Sequence, residues 1–163
     1  MRNFLKMLVV GTIIAAGCGT VAGVAGAAES PDPVVGSWTL NLAKSKFPPG
    51  TAPQSQTREY TQSADGTSLS VTGVSADGTA VSQKSTFKYD GKAYAFSGSP
   101  EWDSISLKRV NSSTVSGTMK LGGKAVGTTV RSISDYGKRL TLTTNAKGAK
   151  GKKYHAVAVF DRQ

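Results

Sequence analysis

The chain is 163 residues long and has little of what catalysis and metal binding draw on: one cysteine, Cys18, and one histidine, His155. Cys18 lies in an apolar N-terminal stretch, so the rest of the chain can form no internal disulfide and offers no thiolate to a metal. Structural zinc, which typically takes four Cys, His or carboxylate ligands, is not expected. Only 10 residues are acidic, and Asp65, Asp77, Asp90 and Asp135 sit in turn motifs. Glu59, Glu101, Asp103 and Asp161 share no strand face at a spacing that would pair two carboxylates, so catalysis is not expected. Long apolar runs are also missing after Ala28, where nothing approaches the roughly 20 residues needed to span a bilayer. No stretch there keeps a helical period for ten residues, which excludes a helical bundle.

The N-terminus does carry a signal. Arg2 and Lys6 precede an apolar run from Met7 to Ala16, and small residues continue to Ala28, the pattern of a secretory signal peptide. Ala25-Gly26-Ala27 has the small-x-small form of a cleavage site, giving a leader of residues 1–27 and one domain of residues 28–163. Ala15-Ala16-Gly17-Cys18 loosely resembles a lipoprotein box, the alternative, in which Cys18 would be acylated. Export is expected in either case, to the periplasm or beyond.

Formal charge is +10, from 20 basic and 10 acidic residues, and removing Arg2 and Lys6 still leaves +8. The densest cluster is Lys147, Lys150, Lys152 and Lys153, set among glycine and alanine. It reads as a solvated hairpin loop, with weak attraction to anionic envelope surfaces as the alternative. Nucleic acid is not an expected partner, because only Tyr154 offers a stacking platform beside these lysines. Nothing in the pattern specifies an oligomeric state.

What the sequence has in quantity is short alternating runs between turn signals. In "VVGSWTLNLAKSKF", Val34 to Phe47, Trp38, Leu40 and Leu42 alternate with Ser37, Thr39 and Asn41, the period of a half-buried strand. Pro48, Pro49, Gly50 and Pro53 make 43–55 an irregular connection. Then come "ADGT" twice, "YDGK", "LGGK" and "DYGK", each a hairpin signal because glycine accepts the positive φ of a tight turn. The runs between them predict strands near 35–42, 56–62, 68–74, 80–89, 92–97, 104–110, 114–121, 124–133, 139–145 and 153–161. Leu69, Val71, Val81, Phe87, Tyr89, Tyr94 and Phe96 supply an inward face, continued by Ile105, Leu107, Val115, Met119, Val126, Val130, Leu140 and Leu142. An open sheet of this length would leave two bare edges, so the predicted fold is all-β: a closed antiparallel up-and-down β-barrel of about 8 to 10 strands.

Gly36-Ser37-Trp38 matches the G-x-W of the first strand in the calycin superfamily, which includes lipocalins and fatty-acid-binding proteins. "GTTVRSISDYGKRLTLTT", Gly127 to Thr144, resembles the late strand pair of fatty-acid-binding proteins, and "AVFDRQ", Ala158 to Gln163, resembles their chain end. The opening "GSWTLNLAKSKF" resembles a group of small exported bacterial lipocalin-like proteins. The resemblance implies non-covalent binding of a small hydrophobic or amphipathic molecule, with no cofactor. It also implies that Gly36, Trp38 and Arg162 are structural, Arg162 crossing Trp38 to tie the last strand to the first. Two features depart from the pattern. The Pro-rich segment replaces a two-helix lid, and Ala158 and Phe160 stand where an R-x-Y carboxylate clamp would lie, although Arg131 matches the clamp's other arginine.

The expected cavity lining is Trp38, Phe87, Tyr94, Met119 and Arg131. Arg109 is in phase with Ile105 and Leu107 and is expected at the inner rim, whereas Arg131 is out of phase with Val126 and Val130. Two other readings remain open: a filled barrel acting as a structural or interaction module of the envelope, and a haem-binding barrel using His155.

Overall fold

The computed structural model describes residues 32–147, 151 and 153–163. The predicted leader with Cys18, and Lys150 and Lys152 of the basic cluster, lie outside the described residues. Ten antiparallel strands follow one another around a closed barrel. They are β1 (Gly36–Leu40), β2 (Ser55–Ser63), β3 (Gly66–Val74), β4 (Ala80–Phe87), β5 (Asp90–Ser97), β6 (Ser104–Arg109), β7 (Thr114–Leu121), β8 (Lys124–Ser134), β9 (Arg139–Lys147) and β10 (Lys153–Arg162). The up-and-down barrel predicted from the alternating pattern therefore forms, with ten strands. Closure falls on the shortest strand: Trp38 of β1 stands opposite Arg58 of β2 and Arg162 of β10.

Turn chemistry explains why the strands reverse where they do. Between β3 and β4, Asp77 Oδ1 accepts from the Ser75 hydroxyl at 2.5 Å and from the Thr79 N–H at 3.0 Å, while Gly78 takes φ +87°. These bonds hold the Asp77 carboxyl down at about 2, because they favour its charged form. The weakest seam is β4–β5, paired only at Lys84↔Ser97 and Ser85↔Phe96. There the Ser85 hydroxyl donates to the Ala95 carbonyl at 2.8 Å.

Up-and-down order puts alternate connections at opposite ends. One end carries the Pro-rich connection 41–54 and the β3–β4, β5–β6, β7–β8 and β9–β10 turns; it is the mouth. Among the described residues no helical lid crosses it. The connection makes one 3₁₀ turn at Leu42–Lys44, then runs beside β10 through two backbone bonds between Lys46 and Val157, at 2.7 and 2.8 Å. The other end is closed by residues 32–35 and the chain terminus. Trp38 is fully buried, and its indole N–H donates to the Val34 carbonyl at 2.7 Å. The Arg162 guanidinium lies 4.2 Å from the Trp38 ring centre. It donates to the carbonyls of Gly137 at 2.6 Å, Val35 at 2.7 Å and Pro33 at 2.5 Å. A cation–π contact of this kind contributes about 1 kcal/mol, and the three carbonyls anchor the segment before β1 under the barrel. Gly36 is required beside them: its φ is +131°, and a Cβ there would come within 2.6 Å of Arg162 Nη1.

On β8 the structure reverses the predicted phase. Val130 is 43% exposed, and the buried positions are Thr129, Arg131 and Ile133. A bulge contributes to the error: Met119 pairs with Gly127 but Lys120 pairs with Ala125, leaving Val126 as the extra residue. Arg131 is therefore an inward residue, not one out of phase with the interior.

Candidate ligand cavity

The barrel is hollow. A cavity of about 860 Å³ runs from the mouth toward the closed end, within the range of small-molecule sites. Its apolar wall comes from β3 to β7, including Leu69, Val81, Phe96, Ile105, Leu107 and Val115. Alternation along each of these strands aims the apolar residues inward. At the mouth, Phe47, Pro48 and Pro49 approach from the connection after β1, and Trp102 from the β5–β6 loop. Trp102 packs edge-on against Phe96, their ring centres 5.9 Å apart. Beside it the Tyr154 hydroxyl donates to Glu101 at 3.2 Å. Burial and the neighbouring carboxylate push the Tyr154 phenol up to about 12.

Of the five residues expected in the lining, Phe87, Met119 and Arg131 border the cavity, whereas Trp38 and Tyr94 do not. Trp38 lies beneath the cavity, fully covered by the plug that it helps to hold. Tyr94, in mid-β5 opposite Ile105, is half-buried against the core, and its hydroxyl donates to Asp90 at 3.0 Å, toward the closed end. His155 is exposed, with Nδ1 2.7 Å from Asn145 Oδ1 on the neighbouring strand.

Toward the closed end the cavity becomes cationic. Arg131 is only 6% exposed. Its Nη2 donates to the Tyr89 hydroxyl at 2.6 Å, and its guanidinium lies 5.3 Å from the ring centres of both Tyr60 and Tyr89. Beneath it sits the Asp32 carboxylate, 5% exposed, 4.0 Å from Arg131 Nη2 and 2.9 Å from Arg109 Nη2. Burial pushes the Asp32 carboxyl up. The Tyr89 hydroxyl, the Val34 N–H and the two guanidiniums outweigh that effect and hold it below its ordinary value. Arg109 is thus at the rim of the closed end, its side chain 37% exposed, and does not border the cavity.

Arg58, which the sequence pattern did not single out, borders the cavity beside Tyr60 and Arg131. Its Nε donates to Gln56 at 3.2 Å and its Nη1 to the Tyr60 hydroxyl at 3.2 Å. Its guanidinium lies 5.4 Å from the Phe160 ring centre. Among the described residues no carboxylate pairs with it. Tyr60 reports the local field: burial pushes its phenol up, yet Arg58 and Arg131 together bring it below its ordinary value. The signal in the sequence was Arg58-x-Tyr60, two residues apart and so on one face of β2.

No family model matches the sequence, and no curated protein does. Among solved structures, the chain is similar to the zebrafish ileal bile acid-binding protein complexed with cholic acid, at 16% identity and a TM-score of 0.49. The alignment covers 80% of this chain and 99% of that one.

Proposed function

We propose that this protein binds a small amphipathic molecule non-covalently, its apolar body against the β3–β7 wall and an acidic group on Arg58. The observation that carries the reading is Arg58, a partly buried cation in an apolar cavity, with Gln56 and Tyr60 as its acceptors and no carboxylate partner among the described residues. Burying such a charge costs free energy until an anion pairs with it. Arginine suits the task because its planar fork meets a carboxylate or a similar oxyanion through two parallel bonds. Arg131, the arginine singled out by family resemblance, plays a lesser part, since Asp32 and Tyr89 already satisfy it.

A filled barrel serving only as an interaction module does not account for an interior of about 860 Å³. The reading includes export, which the charged and apolar leader pattern supports; mass spectrometry of the mature chain from its host should place the new N-terminus near Ala28. The binding claim is tested by titrating the protein with laurate against a displaceable lipophilic fluorophore. Wild type should bind saturably. Arg58→Ala should weaken laurate by about 30-fold, the equivalent of roughly 2 kcal/mol for a charge-assisted hydrogen bond. Absence of saturable binding by wild type would refute the reading.

A further inference from the structure

We infer that Asp32 sets the charge class of the ligand, restricting the cavity to molecules with a singly charged anionic head. The inference rests on the binding role proposed above and adds a selectivity to it. Two guanidiniums, Arg58 and Arg131, border the cavity. Among the described residues only Arg131 of the two has an internal counter-ion, the Asp32 carboxylate on the side away from the cavity, 5% exposed and 4.0 Å away. Asp32 does not border the cavity, so a ligand cannot displace it simply by entering. Arg109, the nearer partner of Asp32 at 2.9 Å, is more than a third exposed and does not border the cavity, so water solvates its charge and weakens its reach into the interior. The two guanidiniums that border the cavity and the carboxylate behind them sum to one positive charge.

A carboxylate, sulfonate or phosphodiester matches that charge. A phosphate monoester brings a second negative charge, which would be taken out of water with no cation to balance it, and uncompensated burial of charge is strongly unfavourable. The plug gives Asp32 its position: the Val34 N–H donates to its Oδ1 at 3.0 Å, and the Arg162 bonds to Pro33 and Val35 hold the backbone on either side of Val34. The residue that completes the closed end thus also fixes the polarity of the cavity above it.

The test compares two ligands with the same twelve-carbon tail, laurate and dodecyl phosphate, by calorimetry at about pH 8, where a phosphate monoester carries close to two charges. Wild type should prefer laurate by roughly tenfold or more. Asp32→Asn raises the local charge by one and should narrow or invert that preference. The double variant Asp32→Asn with Arg131→Met removes both members of the pair, keeps Arg58 and should return the wild-type ratio. A wild type that binds dodecyl phosphate as tightly as laurate overturns the inference without reference to any variant's folding, and leaves the binding role standing. A ratio unmoved by Asp32→Asn in a folded variant also overturns it. Failure of wild type to bind either ligand overturns the binding role and this selectivity together.

Discussion

Replacing Asp32 by alanine removes the only carboxylate that pairs with Arg131 among the described residues and leaves that guanidinium, 6% exposed, without a counter-charge. Breaking a buried ion pair from one side costs about 3–5 kcal/mol. Two features place Asp32→Ala near the lower figure. The separation from Arg131 is 4.0 Å, longer than the 2.9 Å to Arg109, and Arg131 keeps its bond to Tyr89 and its contacts with two aromatic rings. Taking about 3 kcal/mol, and about 4 °C per kcal/mol for a domain of this size, the midpoint of thermal unfolding should fall by about 12 °C. The assay is circular dichroism melting, repeated across acidic pH. Because the folded-state pKa of Asp32 is depressed, its stabilisation is fully present above the unfolded aspartate value of about 3.9 and is lost as pH falls through the lower folded value. The gap between wild type and Asp32→Ala should therefore be widest near neutrality and close below about pH 4. A variant melting within about 2 °C of wild type at neutral pH, less than 1 kcal/mol on this scale, would refute the pairing, and a gap that stays constant through acidification would refute the titration argument.

Three further expectations are independent of that pair. Gly36→Ala introduces a Cβ at φ +131° and within 2.6 Å of Arg162 Nη1; backbone strain together with displacement of the guanidinium should cost about 2 kcal/mol or more in urea unfolding. Arg162→Lys keeps the charge but not the planar fork that reaches three carbonyls, so it should destabilise by about 2 kcal/mol, read from the same urea midpoints. Thr129 buries a hydroxyl with no hydrogen-bond partner; Thr129→Val removes that unsatisfied group at nearly constant shape and should leave stability unchanged or raise it by about 1 kcal/mol, and a clear loss would indicate a partner for Oγ1.

The barrel was legible because its determinants are local. Asp-Gly and Gly-Gly pairs reverse the chain, the runs between them alternate, and a long antiparallel meander removes its edges by closing. The predicted β7 at 114–121 coincides with Thr114–Leu121, and β10, predicted at 153–161, forms at Lys153–Arg162. The stack of Arg162 on Trp38 likewise follows once β1 and β10 are neighbours, because the two residues stand opposite each other in register. β8 departs from the sequence pattern for a physical reason: a phase through Val126 and Val130 assumes that inward means apolar, whereas Thr129 and Arg131 are the buried positions. That premise holds where side chains meet a packed core. It fails where they face a cavity or an internal ion pair, as Thr129 and Arg131 do.

The same premise hid Arg58. On β2, Gln56, Arg58 and Tyr60 alternate with Thr57, Glu59 and Thr61, so both faces look polar and neither announces the interior. Asp32 was less legible still, lying before the first strand next to a proline while its partners Arg109 and Arg131 come from β6 and β8. Hydrophobic periodicity is a short-range signal; a pairing between such distant residues appears only after the sheet has closed. The least legible residues are thus those that give the cavity its charge. A plug held by Arg162 and Trp38 carries Asp32 under Arg131, Asp32 satisfies Arg131, and Arg58 is left as the cavity cation without a carboxylate. Removing the plug would do more than open the closed end: it would leave Arg131 as uncompensated as Arg58. The charge selectivity of the cavity should therefore depend on the integrity of the segment before β1 as much as on the residues that border the ligand.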